Sequence, residues 1–346
     1  MIAAENSYWR RFAAEARALG SPLYERLALA VDADPALKAL AAKARPHQPK
    51  ANILFAAVHF LLLRGAQHTL RNFYQTVGGT DRGDAFPSFH DFVTVHEEEV
   101  TALVETRITN TNEVARSSVL RAGFAALAQQ EAAPLHVIEI GPSAGLNMIW
   151  DRYGMRYRRG DAVVAEIAAD APLVLECELR GARTPPLRIT PVLASRIGLE
   201  RNPVDLSDRN DRDWLRALVW PNQPHRLDRM DRAIAIYRKS PPAIVSGDAL
   251  ALLPDALAAV PSHEAVCVYH TIAVYQFSAE MKQALDALLA VAGLRRPVWH
   301  LAFEFESQFD GDATYVLTLS RHDGRVLQSR RLAIAQAHGG WIEWLD

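Results

Sequence analysis

The stretch HVIEIGPSAGLNMIWDRY, His136 to Tyr153, decides how this chain is read. An apolar run reaches Glu139, turns through GPSAG and continues into residues of helical character. Gly141, Ser143 and Gly145 fit two patterns with different chemistry. One is the G-x-S-x-G elbow, a sharp strand-to-helix turn that presents a nucleophilic serine. The other is a glycine-rich loop that lets a nucleotide-like cofactor approach the backbone.

The surroundings of the loop bear on that choice. Up to about residue 130 the apolar spacing is helical: Trp9, Phe12, Ala13 and Ala16 share one face, and Leu23, Leu27 and Val31 continue the period until DADP stops it. Leu70, Phe73, Tyr74 and Val77 form a further face that ends at Gly78 and Gly79. Asn110 with Glu113 has capping-box spacing ahead of a helix that carries Val114, Leu120, Phe124 and Leu127. After Pro134 the pattern changes. LHVIEI, AIVSGD, AVCVYHT, VWHLAFEFE and TYVLTLS read as apolar strands with helical stretches between several of them, which predicts an α/β sheet of parallel character. The expectation is a helical N-terminal domain over 1–130 and a Rossmann-like α/β domain over 131–346. RYRRGDAVVAEI and PLVLECELRG place an inserted extended segment at about 154–190, and a DG turn after TYVLTLS predicts a hairpin at the sheet's last edge.

Composition narrows the function classes. The chain has 346 residues, 49% of them hydrophobic, and its 38 basic and 40 acidic side chains leave a formal charge of −2. That balance supplies no broad cationic surface, so no nucleic-acid partner is expected. Cys177 and Cys267 are the only cysteines and lie in no CxxC context, which argues against a disulfide framework and for a reducing, cytoplasmic setting. The longest apolar run, Ile53 to Leu63, is shorter than the ~20 residues of a membrane span and contains His59. It reads as a buried helix, with no membrane partner. No HExxH, paired cysteines or carboxylate-rich loop is present, so no metal is expected.

A serine elbow needs strands and an oxyanion-hole loop before it, and an acid and then a histidine after it. The residues before GPSAG read as helical, while several histidines follow it, so a hydrolase using Ser143 stays open as an alternative. A cofactor loop accounts for more of the residues. Gly141 makes the tight turn, Ser143 stands where a middle glycine is usual, and Gly145 lets the next element pack closely.

VIEIGPSAG resembles the first motif of class I S-adenosylmethionine-dependent methyltransferases: an apolar strand, an acidic residue and a glycine-rich loop. SRIGLERNPVDL (Ser195 to Leu206) is similar to their second-strand motif, whose acid binds the ribose hydroxyls, which puts Glu200 in that role. VSGDALALLP (Val245 to Pro254) resembles the third motif, with Asp248 facing the adenine amino group. AVCVYHTIAVYQF (Ala265 to Phe277) resembles the fourth strand and its loop, beside the methyl group and its acceptor. The resemblance covers roughly residues 134 to 320 and departs from the family in the long insertion between Gly145 and Glu200. TNEVAR (Thr111 to Arg116) and SAGLNMIWDRY further resemble a bacterial domain-of-unknown-function family without an assigned activity.

The resemblance implies S-adenosylmethionine as cofactor, held by Glu139, Gly141, Ser143, Gly145, Asn147, Glu200 and Asp248, and a small-molecule acceptor. His270, Tyr269 and Tyr275 close the fourth strand and its loop and are the candidate catalytic residues. Asn112, Glu113 and Arg116 lead into the first strand and are candidates for a substrate-side lid. Two other readings stay open: the hydrolase, and a non-catalytic module that binds a nucleotide-like ligand.

Overall fold

A computed structural model describes residues 7–309, 312–324 and 327–346. The chain divides into two compact units, Met1–Thr111 with Val204–Asp231, and Asn112–Pro203 with Arg232–Asp346.

The first unit is helical: α1 (Tyr8–Ala18), α2 (Pro22–Ala33), α3 (Pro35–Ala42), α4 (Lys50–Leu63), α5 (Phe86–Val95) and α6 (Glu97–Thr106). The return segment adds α8 (Arg209–Ala217), and its Trp214, Ala217 and Leu218 join the same core. Start signals are those of the residues present. Ser7 accepts the Arg10 N–H at the head of α1, and Asp34 accepts from Ala36 and Leu37 at the head of α3. Helix α4 is apolar around its circumference, so it is buried along most of its length, as its sequence predicts. Leu70 to Val77 differs from expectation. It forms two short 3-10 segments, Thr69–Phe73 and Gln75–Val77, before Gly78 at φ 90°.

The second unit is a mixed α/β structure around an 11-stranded, mostly parallel sheet in the order β3-β2-β4-β11-β10-β9-β8-β7-β1-β5-β6. Its strands are β1 (Leu135–Ile140), β2 (Gly154–Arg159), β3 (Ala162–Ile167), β4 (Val174–Arg180), β5 (Leu193–Glu200), β6 (Ala243–Ser246), β7 (Ala265–Thr271), β8 (Val298–Phe309), β9 (Asp312–His322), β10 (Gln328–Ala335) and β11 (Trp341–Trp344). Strand β1 lies between β5 and β7 and runs parallel to both. From β1 the chain order grows outward through β5 and β6 on one side and through β7 and β8 on the other.

Two layers of helix cover this parallel part. Side chains alternate between the faces of a strand. Ile138, Ile140, Val266, Val268 and Val298 therefore share one core with Leu253 and Leu257 of α10 (Ala249–Ala258) and Leu285 and Leu289 of α11 (Ala279–Gly293). The opposite face meets α7 (Arg116–Ala128), whose Gly123 lies so close to Leu301 that an added Cβ would be 2.9 Å from it. Phe124 of the same helix stacks on Trp150 at 4.7 Å and meets Tyr269 edge-on at 5.2 Å.

Several expectations need correction. Helix α7 belongs to the sheet unit, and residues 204–231 to the helical one, so the division at residue 130 does not match the compact units. The capping-box pair does not cap α7, which starts at Arg116 behind Ala115 without a side-chain cap. The strands β2, β3 and β4 lengthen the same sheet at its far side. The β9–β10 hairpin is interior, because β10 also pairs with β11 and β11 with β4. Part of its connection, residues 325 and 326, lies outside the described residues.

Candidate ligand site at the carboxyl ends of the parallel strands

In open α/β sheets ligands bind outside the carboxyl ends of the strands, where the strand order reverses. Here that point is the end of the β1–β7 pair, and the loop Gly141–Gly145 leaves β1 there. Gly141 and Gly145 have φ of 67° and 77°, and Ser143 joins them at 57°, a conformation uncommon for a residue with a Cβ. The turn is tight on both sides. A Cβ on Gly141 would lie 2.8 Å from the Ala273 Cβ, and one on Gly145 would lie 3.0 Å from Ile244. Both glycines are thus required by the turn and its packing.

The segment after the loop is not a regular α-helix. Asn147–Arg152 forms two 3-10 turns across a kink at Ile149. Asn147 is buried, and its Oδ1 accepts from the Ser117 hydroxyl at 2.9 Å while its Nδ2 is buried without a hydrogen-bond partner. A buried donor left open costs about 1–3 kcal/mol. Asp151 pairs with Arg196 at 2.6 Å, and Arg152 reaches the Ser240 carbonyl at 2.5 Å.

Three carboxylates are the candidates for holding the cofactor. Glu200 ends β5 beside the loop: its Oε2 accepts the Ser143 N–H at 2.8 Å and its Oε1 the Asn202 N–H at 3.0 Å. Glu139 is buried on β1 directly opposite Tyr269 of β7, whose hydroxyl donates to it at 2.8 Å. Burial pushes the Glu139 carboxyl up to about 8, and the nearby Glu200 acts in the same direction against the Tyr269 bond. Asp248 caps α10, accepting from Leu250 at 2.9 Å and Ala251 at 3.4 Å, and it meets Arg201 at 2.5 Å. The Arg201 hydrogen bond is the main reason that its carboxyl is held below the usual range.

The candidate catalytic residues separate. Tyr269 faces Glu139 and α7, whereas His270 points to the opposite face, where Nδ1 meets Glu304 at 2.6 Å and Nε2 meets His300 at 2.9 Å. Tyr275 is 50% exposed on the loop beyond β7. Two of the lid candidates, Asn112 and Arg116, reach the strand ends as ties, while Glu113 bonds within its own turn. Asn112 accepts the Leu146 N–H at 2.8 Å, Glu113 accepts from Ala115 at 3.1 Å, and Arg116 donates to the carbonyls of Ala337 at 2.8 Å and Thr271 at 3.2 Å. Glu304 of β8, which was not among the candidates, is engaged at this end of the sheet. The missing signal was register, since only the β7–β8 pairing brings Glu304 beside the β7 loop.

Among the described residues no group of three or more His, Cys, Asp or Glu is placed to hold a metal ion. None of the described helices is long and apolar enough to cross a membrane.

Fold and site thus define a mixed α/β protein with a glycine-rich loop at the reversal point of its sheet. The chain belongs to the family described as "Uncharacterized protein conserved in bacteria (DUF2332)", whose family model matches residues 6–344. A comparison with curated proteins finds no match.

Proposed function

We propose that this chain is an S-adenosylmethionine-dependent methyltransferase with a Rossmann-like sheet, acting on a small-molecule acceptor. The observation that carries the proposal is the Glu200–Ser143 contact. The long insertion between them does not prevent the acid at the end of β5 from meeting the loop at the end of β1, at 2.8 Å. A nucleoside cofactor would need both groups at one place.

The order β6-β5-β1-β7-β8 supports the same reading, since it is that of a doubly wound sheet with its reversal beside the first strand. Charge supports it as well. Glu200 occupies an amide of the loop, so the loop is less suited to a phosphate, and a carboxylate suits ribose hydroxyls, which donate. Glu200 would hold the ribose, and Asp248 the base in competition with Arg201. When bound, the cofactor supplies an electrophilic methyl group, and much of the rate comes from in-line placement of the acceptor. Tyr275 and the β7 loop would line the acceptor side.

Isothermal titration of the intact protein with S-adenosylmethionine and S-adenosylhomocysteine tests this reading: binding is expected, and its absence in folded protein rejects it. Binding without turnover across an acceptor panel would instead favour a non-catalytic ligand-binding module.

One observation favours the hydrolase as a second reading, namely the left-handed backbone of Ser143 in the turn that leaves β1. Against it, both ring nitrogens of His270 are engaged by Glu304 and His300. Labelling by a serine-directed fluorophosphonate, lost in Ser143→Ala, would support the hydrolase.

A further inference from the structure

The loop beyond β7 is held by one side chain. Glu304 Oε1 accepts the N–H groups of Ala273 and Val274, each at 2.9 Å, and its Oε2 accepts that of Tyr275 at 3.0 Å. His270 Nδ1 completes the set at 2.6 Å. Burial opposes charge on Glu304, but the His270 bond and the backbone donors outweigh it and hold the carboxyl below its ordinary value. An ionised carboxylate only accepts, so the Nδ1–H of His270 is the donor in this bond. His270 Nε2 rests against His300, which burial foremost, and then its histidine neighbours, hold well below the ordinary imidazole range and therefore neutral.

The loop held in this way is strained. Ile272 has φ 50°, an outlier for a β-branched residue, and its N–H bonds to the Phe303 carbonyl at 2.7 Å. Such a conformation persists only where the surroundings over-determine it. The next residue, Ala273, packs against Gly141 of the β1 loop. The strained segment is thus one wall of the β1–β7 reversal point, and Glu304 contacts it from the side away from Glu139.

We propose that Glu304 is a positioning residue: by gathering three backbone N–H groups it holds loop 271–277 in its strained form, and it thereby sets ligand affinity at the β1–β7 end without touching the ligand. His270 orients the carboxylate and His300 backs His270. The affinity part rests on the methyltransferase reading; the loop-holding part does not.

Residue-resolved amide exchange on the full chain, in the wild type, Glu304→Ala and Glu304→Gln, tests the proposal alongside titration with S-adenosylhomocysteine. In Glu304→Ala the amides of Ala273, Val274 and Tyr275 are expected to exchange about 10- to 100-fold faster, the range for losing a hydrogen bond to a charged group, while Val266 and Val268 stay protected. Glu304→Gln can keep its oxygen toward Ala273 and Val274 but turns an NH2 toward the Tyr275 N–H, so Tyr275 alone should accelerate. Affinity should fall most in the alanine variant and less in the glutamine variant. Unchanged exchange at all three amides, or a uniform rise across the sheet in both variants, overturns the proposal. Accelerated exchange with unchanged affinity overturns its affinity part. If the wild type does not bind S-adenosylhomocysteine, the methyltransferase reading and the affinity part fail, and the exchange pattern decides the loop-holding part by itself.

Discussion

Tyr269 donates its phenolic hydrogen to Glu139 across the β1–β7 pair at 2.8 Å, and the two residues are direct partners in the parallel register. The carboxyl is buried beneath α7, and burial lifts it from 4.5 to about 8. It therefore holds its proton at neutral pH.

That relationship predicts a pH dependence of known sign. The folded chain keeps a proton on Glu139 that the unfolded chain releases near pH 4.5, so its contribution is complete below that pH and is lost as pH rises through about 8. Glu139→Gln keeps an uncharged acceptor for Tyr269. Its stability relative to the wild type should therefore grow between pH 5 and pH 8.5 by roughly 1–3 kcal/mol. Urea unfolding at several pH values checks this, and parallel curves for the two proteins would contradict it.

In the helical unit the sign is opposite. His59 is buried on α4, with Nδ1 at 2.9 Å from the Ala217 carbonyl and Nε2 at 2.7 Å from Thr76 Oγ1. Burial pushes its imidazole down to about 4. The unfolded chain takes up a proton near pH 6.5 that the folded chain refuses, so stability falls as pH drops from about 6.5 toward 4. His59→Gln should flatten that part of the acid limb, measured by thermal unfolding between pH 4.5 and 7, even if it lowers stability at pH 7.

Glu200 and Asp248 should respond differently to alanine. Glu200→Ala removes the acceptor of the Ser143 N–H and is expected to weaken S-adenosylhomocysteine at least about tenfold, the scale of one charge-assisted hydrogen bond. Asp248→Ala removes the α10 cap and should cost about 1 kcal/mol of stability, with a smaller effect on binding because Arg201 already engages that carboxylate. Calorimetry paired with denaturation separates the two, and equal effects on affinity would count against Glu200 as the main contact.

Gly141 and Gly160 offer a matched test of the loop. Both have positive φ, at 67° and 56°, but an added Cβ meets Ala273 at 2.8 Å in the first and has no atom within 4 Å in the second. Gly160→Ala should cost about 1 kcal/mol from backbone strain alone. Gly141→Ala should cost more by roughly 1–3 kcal/mol because the two loops must also move apart. Equal losses in denaturant midpoint would show that the loops are not closely packed.

Much of the local structure was legible in the sequence. Helix spacing marks α1 and α2, the all-round apolar run marks α4, and short β-rich runs mark β1 and β6 to β8, because side-chain periodicity follows directly from backbone geometry. Strand order was less accessible. The strands β2 to β4 join the far side of the sheet through β11, and β10 sits inside it, because pairing partners are set by segments remote in sequence. The role of Glu304 was hidden for the same reason: alternation shows which residues share a face but not which loop lies against that face.

The GPSAG stretch shows where the division falls. The sequence by itself determined a strand followed by a turn, since Gly141 and Gly145 tolerate the left-handed backbone that such a turn requires. Only the tertiary structure decided what that turn meets: Glu200 at the Ser143 amide, Ala273 against Gly141, and Tyr269 on a buried Glu139. Backbone conformation is a local property, encoded residue by residue. Desolvation and hydrogen-bond partnership depend on which distant segments pack together, and that packing turned a glycine-rich turn into a candidate ligand site.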